Sequence, residues 1–223
     1  MLFHTGSFSR WLVAAAGLAI VLMAPAPARA ALPVDELVTH METADPTLQS
    51  FRAKVEFAVG MYSFPYLHKT VHGEAYFKRP NKMQIVFSDL PAIAARFRQL
   101  YVGLGTPAEW RKKYEMASAD IVVDGEPMQA LLMTPKVPDR RLKAVEVAID
   151  PQTWMPTRFL WRYSDGAIEM KQRIVEVDGH SMVGSQNADI RLPGVHAFVN
   201  AKITNHQVNA IFEDSVFTGK KPQ

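Results

Sequence analysis

Two histidines, His68 and His72, come closest to a metal site in residue type and spacing. Side chains four residues apart share one face of either a helix or a strand, so both imidazoles would lie on the same face. A zinc site needs three or four protein ligands, and no third ligand stands at an obvious spacing. We therefore favour two exposed histidines at a sheet edge over a metal centre.

No group of residues marks a catalytic site. The chain has no cysteine, which excludes disulfides, thiolate catalysis and zinc–thiolate or iron–sulfur ligation. It also lacks a Gly-x-Ser-x-Gly elbow, a phosphate-binding glycine loop and a His-Glu-x-x-His motif. Aspartates and glutamates are scattered along the chain, and nothing pairs them. We therefore expect a protein that is not an enzyme, and a small hydrolase is the least favoured function.

The aromatic and methionine residues favour an apolar cavity instead. Where apolar and polar residues alternate, the large side chains occupy every second position, which is one face of a strand. Most of them pack a core, but these segments have more inward apolar positions than two short helices can cover. Aromatic and methionine side chains suit a pocket for acyl chains. The residues predicted to bind a ligand there are Val55, Phe57, Phe77, Ile85, Phe87, Phe159 and Trp161.

Three helices are predicted to accompany these segments. Apolar residues at i, i+3, i+4 and i+7 predict a helix over 33–44, with Pro33 in its first turn. The same spacing predicts a second helix over 92–101. A third begins after Thr106, because Thr-Pro-Ala-Glu is a capping-box sequence with proline at the first helical position, and it extends to about Met116.

The remaining segments are predicted to be strands joined by short turns. Asp-Gly turns between neighbouring strands favour antiparallel pairing. We therefore expect an α+β, mainly β fold: an incomplete antiparallel β-barrel (half-barrel) with helices covering an apolar cavity. The predicted strands lie at 51–59, 71–78, 83–87, 121–124, 128–134, 142–149, 157–163, 167–177, 180–192 and 198–209.

The first thirty residues have the features of a signal peptide. Arg10 precedes a short apolar run, and Ala28-Arg29-Ala30 is an A-x-A cleavage site. A membrane anchor, the alternative, needs about 20 apolar residues, which is longer than this run. Cleavage would leave residues 31–223 as a single domain in the periplasm. The leader carries two of the basic residues, so the net charge would fall from +3 to +1, which gives no reason to expect nucleic-acid binding.

Four segments, in order along the chain, resemble the LolA-like family of periplasmic outer-membrane lipoprotein carriers. The most specific is Gly73–Met83, which is similar to that family's G-x-l-x-v-K-R-P-N-x-f hairpin. Leu48–Ala53 resembles its opening strand. Leu132–Lys136, followed by Leu142-Lys143, is similar to its v-L-T-P-K segment. Asp214–Thr218 looks like its C-terminal d-x-x-F-t-f strand.

The resemblance implies an incomplete barrel, lidded by helices, around a cavity that binds the acyl chains of lipoproteins or a related lipid. It implies a periplasmic carrier that is loaded by an inner-membrane ABC transporter and unloaded to an outer-membrane acceptor, with no cofactor and no reaction. We expect a monomer. Arg79 falls where the family has an arginine at the cavity mouth, implicated in closing the lid over the empty cavity. The alternative is a solvated arginine in a turn.

The chain departs from the family pattern in two places. Residues 90–97 look helical where these carriers have a hairpin, so the lid region is rebuilt and the cargo can differ. Residues 150–158 resemble the wider sorting-protein superfamily, which includes a lipoprotein-sensing regulator of envelope stress. A ligand-sensing envelope-stress module is therefore the alternative to a carrier.

Overall fold

The structure is a computed structural model that describes residues 31–64, 66–80, 82–88 and 106–218. The predicted leader over 1–30 and the predicted helix over 92–101 lie outside these residues, so both stay predictions. Within the described ranges, no helix is both long enough and apolar enough to cross a lipid bilayer.

The strands form one open antiparallel sheet. In the described part of the chain, ten strands follow the order β3-β2-β1-β10-β9-β8-β7-β6-β5-β4, so β3 and β4 are its two edges. An open antiparallel sheet of this size confirms the predicted mainly β half-barrel. The strands are β1 Ser50–Met61, β2 His68–Lys78, β3 Lys82–Phe87, β4 Tyr114–Val123, β5 Glu126–Pro135, β6 Leu142–Ile149, β7 Pro156–Tyr163, β8 Gly166–Val177, β9 His180–Leu192 and β10 Val195–Val208.

Short turns between consecutive strands produce most of this order. Asp124 and Gly125, and likewise Asp178 and Gly179, have positive φ at both positions. Two successive left-handed residues give the tight hairpin turn whose twist matches the flanking strands. The Asp-Gly pairs therefore join β4 to β5 and β8 to β9 as antiparallel neighbours, as the sequence predicts.

Among the described residues, two α-helices pack on the inner face of the sheet. Helix α1 spans Val34–Thr43, and helix α2 spans Pro107–Lys113. Leu37 and Val38 of α1 are completely buried, and Trp110 of α2 is 2% exposed. All three belong to the same apolar core as the inward-facing strand residues. The apolar face of α1 and the Trp110 side chain of α2 are therefore buried against the sheet.

Helix α2 is shorter than the sequence predicts. The predicted helix extends to about Met116, but α2 ends at Lys113 and β4 begins at Tyr114. Tyr114 lies opposite Pro135 and Met116 lies opposite Met133 on β5. Pairing along the whole of β5 outweighs the local helical tendency, because strand formation depends on the neighbouring strand more than on intrinsic propensity.

The segment Asp214–Thr218, which resembles a strand of the LolA-like family, is a 3-10 helix. Its Asp214 carboxylate accepts a hydrogen bond from Lys78 Nζ at 2.6 Å and also binds the ammonium of Lys82. These two lysines lower the pKa of Asp214 to about 2. Val216 is buried at the same place. The segment is thus held by ion pairs, by buried Val216 and by the contact of Phe217 with Phe212, instead of a strand ladder.

Candidate ligand-binding cavity

A cavity of about 600 Å³ lies between the inner face of the sheet and the two helices. Its walls are mainly aliphatic, aromatic and methionine side chains from the strands, with Met41 of α1 and Trp110 of α2 closing the helical side. Its volume falls within the ~300–1,000 Å³ typical of small-molecule sites. The cavity can therefore hold an apolar ligand of modest size.

Six of the eight residues proposed from the sequence lie together in the cavity wall. They are Val55, Phe57, Phe77, Arg79, Ile85 and Phe159. Phe87 and Trp161 are not among the described lining residues. Phe87 packs against the ring of Phe57 with centroids 5.5 Å apart, and Trp161 stacks on Phe159 with centroids 5.6 Å apart. These two lie on the same inner face of the sheet, beside the lining residues, and ligand binding by all eight stays a prediction.

Several lining residues were not found from the sequence. Met41, Trp110 and Trp154 come from helices and a loop, and strand parity carries no information about them. Gln172 and Gln186 also line the cavity. Gln172 has the same parity on β8 as Met170, which lines the cavity too. Assigning every second residue of the strand to the inner face, polar residues included, would have identified Gln172.

Arg79 is bound to the backbone that leaves α1. Its Nε donates to the carbonyl of Leu48 at 2.7 Å, and its Nη2 donates to the carbonyl of Asp45 at 2.5 Å. Its Nη1 donates to the carbonyl of Glu42, within α1, at 3.3 Å. Its own N–H donates to Gln49. A guanidinium suits this place because its donors form a rigid fork and the end of a helix carries a partial negative charge.

Asp45 gives the same loop a second attachment. His180, at the start of β9, contacts the Asp45 carboxylate with Nδ1 and Oδ2 2.7 Å apart. Burial alone would raise the pKa of the Asp45 carboxyl, but hydrogen bonds, first among them the one to His180, lower it below its ordinary value. The last turns of α1 itself are attached by His40, which stacks on Trp154 with centroids 4.2 Å apart and planes 9° apart. The end of α1 is therefore tied to the sheet chiefly by polar contacts.

The two histidines considered as metal ligands lie on β2, away from the cavity lining. His72 Nδ1 lies 3.9 Å from the Glu56 carboxylate. The side chain of His72 is 60% exposed and that of Glu56 is 50% exposed. The ring of His68 packs near Phe198, with centroids 6.0 Å apart. Residues 31–64, 66–80, 82–88 and 106–218 contain no group of three or more His, Asp or Glu side chains that could hold a metal ion.

The fold matches solved structures from bacteria. A DUF1329 family protein from Desulfovibrio piger has a TM-score of 0.61 and 15% identity, covering 83% of this chain and 97% of that one. An outer membrane lipoprotein-sorting protein domain from Vibrio parahaemolyticus has a TM-score of 0.61 and 10% identity, covering 83% and 95%. A LolA superfamily protein from Nitrosomonas europaea has a TM-score of 0.57 and 9% identity, covering 84% and 98%.

These likenesses show that the chain has a LolA-like fold, as its motifs predict. No protein-family model matches the sequence, and no curated protein matches it.

Proposed function

We propose that this protein is a periplasmic carrier that binds the acyl chains of lipoproteins, or of a related lipid, and shuttles them toward the outer membrane. The observation that carries the proposal is the apolar cavity under α1 and α2 in a LolA-like fold. The lipoprotein-sorting name of the Vibrio parahaemolyticus structure supports the same reading. The function proposed is binding and release, without a chemical step.

The cavity can supply the free energy that such binding needs. Transferring an acyl chain from water into an apolar site contributes about 0.8 kcal/mol for each CH₂ group buried. Part of this is offset by lost freedom of the ligand and of the side chains that order around it. Affinity should therefore rise with chain length until the chain fills the available volume.

Arg79 is proposed to act as a latch over the empty cavity. Its three side-chain hydrogen bonds hold the end of α1 and the loop that follows it. Because the guanidinium is half-exposed and screened by water, these three bonds together contribute no more than about 1.5–3 kcal/mol. If an incoming acyl chain displaces this loop, these bonds oppose loading and assist release, because they re-form when the ligand leaves.

The proposal includes the route of the protein and its partners. Cleavage of the leader over 1–30 would deliver a single domain, residues 31–223, to the periplasm as a monomer. An inner-membrane ABC transporter would donate the cargo and an outer-membrane acceptor would receive it. These partners follow from the resemblance of motifs such as Gly73–Met83 to the carrier family.

A series of saturated acyl probes of increasing length tests the proposal. We expect both the affinity and the melting temperature of the protein to rise with each added CH₂ pair, because a ligand that binds only the folded state stabilises it. Isothermal titration and thermal unfolding measure the two quantities. Affinity that stays flat from short to long chains would contradict an acyl-binding cavity.

A further inference from the structure

Three polar side chains interrupt the part of the apolar wall that β8, β9 and β10 form. They are Gln172 on β8, Gln186 on β9 and His206 on β10. Gln172 and Gln186 lie directly opposite each other in the β8–β9 register. Burying amide groups among apolar side chains costs free energy unless they are hydrogen-bonded. Gln172 and Gln186 are half-buried, so water can reach them in the open cavity, and a ligand that displaces this water has to supply their hydrogen-bond partners.

Two β-bulges on adjacent strands form part of this wall. Between β8 and β9 the register shifts at Gly184, because Ser185 lies opposite Arg173 while Val183 lies opposite Ile174. A side chain at Gly184 could not fit, since its Cβ would lie 2.6 Å from a methyl group of Val175. Bulges bend a strand and redirect its side chains. Val183 consequently faces the cavity next to Met182.

The second bulge brings His206 into the same wall. Thr204 lies opposite Lys54 and Gln207 lies opposite Arg52, so β10 has one residue too many between them. Asn205, one of the two residues between them, has a left-handed backbone conformation with a φ of 52°. His206 Nε2 then donates to the carbonyl of Val183 at 3.0 Å. The two bulges are thus joined by a hydrogen bond on the cavity side of the sheet.

The glutamine pair satisfies only half of its own hydrogen-bonding groups. Gln186 Nε2 donates to Gln172 Oε1 at 3.2 Å. Within the described residues, the amide NH₂ of Gln172 and the amide oxygen of Gln186 have no further partner. Exchanging the oxygen and nitrogen of both amides still leaves one NH₂ group and one carbonyl oxygen unused. The pair therefore offers a donor and an acceptor side by side.

The opposite wall contains a further unpaired polar atom. Thr106 Oγ1, at the start of α2, is completely buried and has no hydrogen-bond partner in the part of the chain that the structure describes. Thr106 also lines the cavity. Donors and acceptors thus remain unused on both the sheet side and the helix side.

The pair lies away from the lysine and arginine side chains that most often bind an anion. Gln186 lies opposite Ala201, which lies opposite Phe57, so the pair is level with the middle of β1. The charged Arg79 lies beyond the end of β2 and donates to backbone carbonyls. No lysine lines the cavity among the described residues, and Arg79 is the sole arginine there. The pair suits a neutral group.

We infer that Gln172 and Gln186 recognise the amide group of an N-acylated ligand, an inference that rests on the proposed acyl-binding function. The unused NH₂ would donate to the amide carbonyl of the ligand, and the unused glutamine carbonyl would accept from its N–H. An ester has no N–H, and a carboxylate adds a charge without a donor. A site built to hydrogen-bond a group discriminates against analogues that lack it, because its own polar atoms are then left unpaired.

Three probes with the same twelve-carbon acyl chain test this inference: N-methyldodecanamide, methyl dodecanoate and dodecanoate. We expect the wild-type protein to bind the amide about tenfold more tightly than the ester, as one or two net hydrogen bonds would give. We expect dodecanoate to bind more weakly than the amide as well. Equal affinity for amide and ester, or a preference for dodecanoate, would overturn the inference.

Variants of Gln172 and Gln186 then test whether this pair causes the preference for the amide over the ester. In Gln172→Leu/Gln186→Leu the ratio of amide to ester affinity should fall to about one, while affinity for the ester is kept or increased. Gln207→Leu, at an exposed position of β10, is the matched control and should keep the wild-type ratio. The single variant Gln172→Met provides the same comparison if the double variant fails to fold.

A full preference in a folded Gln172→Met or double variant would also overturn the inference. Failure of all three probes to bind the wild-type protein would contradict the proposed acyl-binding function itself, which separates the two claims.

Discussion

The two halves of α1 are held to the sheet by different forces. In the first half, Leu37 and Val38 are completely buried in the core. Beyond the second half, the backbone carbonyls of Asp45 and Leu48 accept hydrogen bonds from Arg79. One end of the helix is therefore attached by apolar burial and the other mainly by polar contacts.

This difference indicates which end can move. Burying a leucine or valine side chain stabilises the fold by about 1.5–3 kcal/mol, and nothing outside the core can replace that contact. A half-buried hydrogen bond contributes less in net terms, because water offers the same donors and acceptors when the bond opens. We expect the end of α1 to lift from the cavity while Leu37 and Val38 keep the helix attached.

The largest expected effect is at the apolar end. Leu37→Ala should lower the free energy of unfolding by about 2–5 kcal/mol, the range for removing a fully buried leucine side chain. Denaturant unfolding followed by circular dichroism measures the loss. Val122→Ala is the control, since Val122 is 73% exposed and its loss should change the stability by less than ~0.5 kcal/mol. Equal effects of the two substitutions would show that α1 is not anchored through Leu37.

A smaller effect on stability, but a clear one on release, is expected at the polar end. Arg79→Leu should cost no more than about 1.5–3 kcal/mol of stability and should slow the dissociation of a bound acyl chain. Arg79→Lys should lie between, because an ammonium cannot reproduce the guanidinium fork. The dissociation rate of a fluorescent acyl ligand in stopped flow measures the change.

Arg140→Leu is the matched control for that experiment. Arg140 is exposed in the loop between β5 and β6, outside the cavity lining, so this substitution should leave the dissociation rate unchanged. If Arg79→Leu folds normally and releases ligand as fast as the wild type, Arg79 is only a structural residue at the end of β2.

The sequence predicts the strands well because their signals are local. Alternation of apolar and polar residues and the Asp-Gly turns at 124–125 and 178–179 depend on neighbouring residues alone. The extension of β4 back to Tyr114 could not be predicted, because it depends on pairing with β5, whose register is set elsewhere in the chain. The 3-10 helix over Asp214–Thr218 likewise depends on distant Lys78 and Lys82.

The cavity was predictable only in part, for a related reason. Parity correctly places Val55 and Phe57 on one face of β1. It fails for His206, because the bulge at Asn205 shifts the parity of every residue after it. The backbone acceptors of Arg79 are also invisible to sequence patterns, since any residue supplies a carbonyl and only the path of the chain brings Asp45 and Leu48 to the guanidinium.

The most direct test of the account is to ask what the protein carries. Native mass spectrometry of the wild-type protein and of Arg79→Leu, each purified from the periplasm without detergent, would measure the mass of any bound ligand, and extraction would identify it. We predict an acylated lipid or lipoprotein fragment bound to both, with a higher occupancy in Arg79→Leu because release is slowed. Protein that carries no acylated species in either form, and that takes up none when acyl lipid is added, would contradict the account.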